Sequence, residues 1–328
     1  MRMRLYLLAL VFLLPGTVSA QSFQSLSDGA EAVSISISPD YPAPYGEAFL
    51  SLTSGTLDLS ASSMVVRVNG KTIHTGGVTS VRMLLGGAGV VHDVDVEITT
   101  SGETIYKAIS VQPEDVVIIA EPLSSVPPLY PGRSSVPTGG TVRLVALANL
   151  RTSSGVAIDP TTASYRWSIG GAYRANSSGI GKTSLLLTSP LKYRSATISV
   201  VVSSPSGELV GGDSFTFFAQ EPTLRVYEKD ALLGVRFDKA LPKSYAITTA
   251  EATLFAGAFS FPTQTPLVLE WFVDGASVHN GNSITLRPSG KGKGNSSLSL
   301  VASTKDSSKT SLGMSLSFDT KSSNLFGL

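Results

Sequence analysis

Apolar and polar residues alternate along much of this chain with a period of two. Val94, Val96 and Ile98 share one side of a segment whose other side carries Asp93, Asp95 and Glu97. Ile198, Val200 and Val202 repeat the pattern, as do Leu298, Leu300 and Ala302, and later Leu312, Met314, Leu316 and Phe318. Successive side chains of a strand point to opposite faces, so these runs predict strands with one buried and one wet face. No long stretch carries apolar residues at the 3.6-residue spacing of a helix, and the predicted elements are β throughout.

The pattern recurs at an interval of about 100 residues, the size of a small domain. Tyr165-Arg166-Trp167-Ser168-Ile169-Gly170-Gly171 lines up with Leu269-Glu270-Trp271-Phe272-Val273-Asp274-Gly275. The first copy is Met64-Val65-Val66-Arg67-Val68-Asn69-Gly70, with Val66 in the place of the tryptophan. Asn-Gly, Gly-Gly and Asp-Gly suit a type I′ hairpin, in which both central residues take positive φ. Val66, Trp167 and Trp271 are therefore expected in the core, on the third strand of each copy. Short strands follow at Thr79–Met83, Thr183–Leu187 and Asn282–Leu286. Val111-Gln112-Pro113-Glu114 and Ala219-Gln220-Glu221-Pro222 recur as linkers, and each precedes an alternating stretch that starts the next copy.

About seven short strands per copy, a buried tryptophan on the third and frequent turn signals describe an immunoglobulin-like sandwich. The predicted fold is all-β, three tandem immunoglobulin-like antiparallel β-sandwich domains at 21–113, 114–221 and 222–321, with a leader at 1–20 and a tail at 322–328. A propeller blade or a solenoid coil would repeat at a shorter interval.

The tryptophan strand resembles those of bacterial immunoglobulin-like (Big-like) and PKD-like repeats. Trp271-Phe272-Val273-Asp274-Gly275 approximates the Trp-x-Phe-Gly-Asp-Gly signature of PKD repeats. Ser38-Pro39-Asp40-Tyr41-Pro42-Ala43-Pro44-Tyr45-Gly46, Ala175-Asn176-Ser177-Ser178-Gly179-Ile180-Gly181-Lys182-Thr183 and Asn324-Leu325-Phe326-Gly327-Leu328 resemble segments of a family of secreted proteins from uncultivated candidate-phylum bacteria. That resemblance spans the chain and brings no catalytic residue with it.

The first residues add a compartment. Met1-Arg2-Met3-Arg4 is basic, Leu5 to Leu14 is an apolar run of signal-peptide length, and Val18-Ser19-Ala20 offers small residues for cleavage near Ala20. The run is about half of what a membrane anchor needs. Without Arg2 and Arg4, the 25 basic residues fall to 23 against 24 acidic ones. A net charge near −1 argues against a nucleic-acid partner, which calls for a basic patch. Zero cysteines leave apolar burial alone to hold the domains together, and an exported chain without disulfides points to a bacterial source. No later segment is apolar enough to span a membrane.

Candidate chemistry is sparse. The three histidines, His74, His92 and His279, share no neighbourhood with a nucleophile. Ser178-Gly179-Ile180-Gly181-Lys182-Thr183 ends like a phosphate-binding loop, but Asn176 stands where that motif needs its first glycine. Asp93, Asp95 and Glu97 are the weak metal candidates. Neighbouring same-face positions of a strand lie nearly 7 Å apart, too far for three alone to cage calcium. Lys291 and Lys293, with Lys305 and Lys309, form a modest basic cluster. Phe272 is the aromatic expected on an outer face, and Leu325, Phe326 and Leu328 form an apolar tail able to dock on a partner.

These readings predict no enzyme, no cofactor and no metal. They predict a secreted or cell-surface structural or adhesive protein, a non-catalytic rod of sandwiches whose partner is an extracellular protein or a glycan. A glycan-binding extracellular module is the alternative.

Overall fold

The computed structural model describes residues 33–101, 103–264, 266–289, 292–305 and 309–320. The expected leader at 1–20, Lys291 and the tail residues Leu325, Phe326 and Leu328 lie outside the described residues. The chain forms two compact units, one of residues 33–40, 47–84 and 91–111, the other of residues 41–46, 85–90 and 112–320.

The first unit is a sandwich of seven strands: β1 (Val33–Ser38), β2 (Glu47–Ser54), β3 (Ser63–Val68), β4 (Lys71–Gly77), β5 (Val81–Leu84), β6 (His92–Thr99) and β7 (Thr104–Val111). They form a three-stranded sheet in the order β1-β2-β5 and a four-stranded sheet in the order β4-β3-β6-β7. Leu50, Met64, Val66, Val94, Val96 and Ile98 are fully buried, as period-two alternation requires.

The second unit holds two further sandwiches. The second sandwich contains β8 (Asp115–Leu123), β9 (Thr141–Asn149), β10 (Ser164–Ile169), β11 (Ala172–Tyr173), β12 (Gly179–Ile180), β13 (Ser184–Thr188), β14 (Ser195–Ser203) and β15 (Val210–Phe218). Its sheets run β13-β9-β8 and β11-β10-β14-β15, with the short β12 also paired to β10. Apart from β12, the strand order repeats that of the first sandwich. Trp167 lies at the centre of a core with Leu144, Tyr165, Ile198 and Val200.

The third sandwich contains β16 (Thr223–Asp230), β17 (Gly234–Ala240), β18 (Ser244–Ile247), β19 (Ala252–Phe259), β20 (Leu267–Val273), β21 (Ala276–Asn280), β22 (Ser283–Leu286), β23 (Gly292–Thr304) and β24 (Lys309–Thr320). Its sheets run β17-β16-β19-β22 and β18-β24-β23-β20-β21. Among the described residues it has nine strands, two more than the copy length predicts, because β17 and β18 are inserted between its first and second core strands. Asp230 Oδ1 accepts the N–H groups of Leu232 and Leu233 at 2.7 and 2.9 Å, and Gly234 takes φ 79°, so a tight turn forms without an Asn-Gly or Asp-Gly pair. β18 runs parallel to β24, a local exception in otherwise antiparallel sheets.

The hairpins repeat in detail. Asn69 and Gly70, Gly170 and Gly171, and Asp274 and Gly275 all have positive φ. The N–H of Asn69, Gly170 and Asp274 donates to the carbonyl of Asp93, Thr197 and Ser297 respectively. Where the turn begins with a side-chain acceptor, that acceptor closes a second bond: Asn69 Oδ1 takes the N–H of Asp93, and Asp274 Oδ1 takes that of Ser297.

Residues 124–140, between β8 and β9, form a strap onto the third sandwich. Ser125 N–H donates to Phe261 O at 2.7 Å, Ser260 N–H to Ser125 O at 3.1 Å, and Phe261 N–H to Ser125 Oγ at 3.1 Å. Tyr130 packs edge-to-face on Phe259 and Phe237, at 4.9 and 5.5 Å between centroids. The same aromatic layer holds Tyr227 and Phe255, so β19 is buried on both faces. At Gly257 a Cβ would sit 2.8 Å from the Tyr227 ring, so a glycine is what admits Tyr227.

Candidate interaction groove

The chemistry-bearing residues of the sequence are mostly engaged in structure. Asp93, Asp95 and Glu97 lie on the outer face of β6, where Asp93 accepts Ser110 Oγ–H at 2.8 Å and Glu97 pairs with Arg67 at 3.1 Å. Among the described residues, no group of three or more His, Asp or Glu side chains is placed to hold a metal ion. His74 is on β4, with Nε2 3.1 Å from Gly77 O, and His279 is exposed on β21. His92 is buried, and desolvation holds its pKa below the usual value against the pull of Asp93.

The glycine-rich stretch before β13 serves the tryptophan. Trp167 Nε1–H donates to Lys182 O at 2.9 Å, and Trp167 N–H donates to Ser178 Oγ at 3.0 Å. Trp271 Nε1–H finds Gly281 O at 2.9 Å in the third sandwich. A buried indole N–H needs such a partner, and the turn carbonyl supplies it in both copies. Val66 has no such need. Phe272 is half-buried on the outer face of β20, opposite Ser299, and Lys293 is exposed on β23.

A concave feature lies elsewhere, where β16 passes β24 at the side of the third sandwich. A cavity of about 410 Å³ opens there, with Leu224, Leu241, Leu312 and Met314 among its walls and Lys243 and Thr310 on its rim. Ser315 N–H donates to Lys243 O at 2.7 Å, which closes one end through β18. The backbone of Ser311 and Gly313 faces the groove. Ser297 turns its N–H and C=O to Asp274, so its partner Ser315 points away from β23, and Gly313 and Ser311 follow at alternate positions.

The equivalent side of the second sandwich is closed. Trp167, Val200 and Asp213 align across its sheet, as Trp271, Leu300 and Leu312 do in the third. Asp213 Oδ2 accepts Ile118 N–H from β8 at 2.7 Å and so bridges the first and last strands. Two residues earlier, Gly211 lets Glu114 and Val116 come within 2.8 Å of where its Cβ would be. Glu114 is 4% exposed; its carboxylate accepts Arg151 N–H at 2.7 Å and Gln112 Nε2–H at 3.3 Å. Burial pushes its pKa up to about 7, with the Arg151 N–H and guanidinium opposing. The groove residues had no distinct signal in the sequence, because Leu312 and Met314 read there only as core positions of the last strand.

Among the described residues, no helix is long and apolar enough to cross a membrane. No protein-family model matches the chain, and no curated protein matches it. Solved structures similar to it include the fibronectin(III)-like modules of Clostridium thermocellum CbhA, at 12% identity over 62% of this chain and 97% of that one, with a TM-score of 0.24. The three N-terminal domains of the bacteriophage RB49 outer capsid protein Hoc match at 11% identity over 88% of this chain and 99% of theirs, TM-score 0.25. The central fibronectin-III array of RIM-binding protein matches at 12% over 86% and 95%, TM-score 0.30. The strand order itself establishes three immunoglobulin-like sandwiches in tandem along the chain.

Proposed function

We propose that the protein is a non-catalytic extracellular module, a series of sandwiches that makes structural or adhesive contacts at the cell envelope. The observation that carries this reading is the strap at 124–140. It commits backbone hydrogen bonds and an aromatic layer to holding the second and third sandwiches in a set orientation. Such a device serves a protein that positions surfaces rather than one that turns over a substrate. The leader at 1–20 supports export, and the partner is an extracellular protein or a glycan. Expression of residues 1–328 in a bacterial host, followed by fractionation and intact-mass measurement, tests the reading. The chain is expected outside the cytoplasm with residues 1–20 removed; intact chain held in the cytoplasm would overturn it.

Glycan binding is the second reading. Tyr173, 53% exposed, lies under the Arg166 guanidinium at 5.1 Å, beside an outer face lined by Ser168, Ser199, Thr197 and Thr216. A half-open ring next to hydroxyl groups offers a sugar both stacking and hydrogen bonds.

A further inference from the structure

We propose that the groove beside β24 receives the apolar segment Leu325-Phe326-Gly327-Leu328 of a second copy of this chain, which adds as an extended strand to the β24 edge. The site offers what strand addition needs: apolar walls at Leu224, Leu312 and Met314, and a row of backbone groups at Ser311 and Gly313 turned towards the opening. In the second sandwich this side of the fold is sealed. There Asp213 and the Gly211 approach close it, whereas the third sandwich has Leu312 in the place of Asp213. An unsealed strand edge beside the partly exposed Leu241 and Leu312 is a template for pairing with another chain.

The segment fits in composition and pattern. In an extended strand Phe326 and Leu328 fall on one face, with Gly327 between them, and polar Ser322-Ser323-Asn324 leads in. The segment of the same molecule does not reach. β24 is paired with β23 up to Thr320, and the groove centres on Leu312, about 27 Å back along the strand at strand rise. Phe326 is six residues past Thr320 and spans about 21 Å at full extension, and Leu328, at eight residues, reaches about 28 Å only with no residue spent on reversing the chain. The strip alongside β24 between these points is taken by β18, paired from Ser315 to Phe318. The occupant is therefore the segment of another molecule. Because each copy carries both the segment and the groove, reciprocal exchange closes as a two-fold dimer.

The inference does not depend on export or on the adhesive reading, and it is tested on the full chain. Sedimentation velocity over a concentration series should show a monomer–dimer equilibrium. The variant L325S/F326S/L328S should abolish it. Ser311→Pro should abolish it too, since it deletes an N–H that faces the groove and leaves the β23 ladder intact. Circular dichroism checks that each variant is folded. A labelled peptide of residues 321–328, titrated into the unaltered protein, gives a readout that needs no variant, and saturable binding with loss of dimer is expected. A protein that stays monomeric and binds no peptide would overturn the proposal. So would a dimer untouched by either variant, or one lost in Ser311→Pro but kept in the tail variant, which would mean that another segment fills the groove.

Discussion

Glu114 keeps its carboxyl group inside the second sandwich, where desolvation outweighs the hydrogen bond from Arg151 and raises its pKa to about 7. The unfolded chain releases the same proton near 4.5. Between those values the folded protein binds more protons than the unfolded one, so stability falls as pH rises from about 4.5 through about 7. The full effect is about 3 kcal/mol, the product of the pKa difference and ~1.4 kcal/mol per unit. Urea titrations at pH 5 and pH 8 should show this fall. Glu114→Gln keeps an acceptor for Arg151 N–H and should be less pH-dependent than the parent by that amount; equal slopes in both proteins would refute the assignment. Nothing near Glu114 in the sequence announces this behaviour. Gln112-Pro113-Glu114 reads as a linker, and the burial comes from Gly211 on β15 and from Arg151, both distant along the chain.

Strands and hairpins were legible because their signals are local. Asn69-Gly70 and Asp274-Gly275 state their turn in two residues, and Val94, Val96 and Ile98 state their face in five. The inserted β17 was not legible, since its turn uses the Asp230 carboxylate and Gly234 rather than a recognisable dipeptide. Nor was the closure of a sandwich side, which depends on what lies opposite. Asp213 looks like one polar residue among several in Gly211-Gly212-Asp213-Ser214, yet it is the acceptor that ties β8 to β15. Asp213→Ala should leave Ile118 N–H without its bond and cost about 1–3 kcal/mol, the usual penalty for a part-buried donor deprived of its partner. Asp213→Asn, which retains an oxygen, should cost less. Hydrogen exchange at the Ile118 amide checks the local effect: faster in Asp213→Ala, near the parent rate in Asp213→Asn.

The copies read as equivalent in sequence, but the strap makes the second and third a pair. Ser124-Ser125-Val126-Pro127-Pro128 has the composition of a loop, and only its landing site on Phe259 and Phe261 gives it a role. Tyr130→Ala would remove the ring that covers Phe237 and Phe259, at a cost of about 2–4 kcal/mol. Calorimetry should find the second and third sandwiches melting together in the parent and as two separate transitions in Tyr130→Ala; an unchanged single transition would show that the strap does not couple them. Repeat arrays lengthen and shorten over evolutionary time by gaining or losing single units, provided that each unit needs nothing specific from its neighbour. Here a recombination that deleted the second sandwich would strip the cover from Tyr227, Phe255 and Phe259, and one that deleted the third would leave Tyr130 without its ring partners. The inheritable unit of this chain is thus the doublet. Descendants of different length should carry both members together, with a tyrosine or comparable ring at position 130 wherever the aromatic layer of β16, β17 and β19 persists.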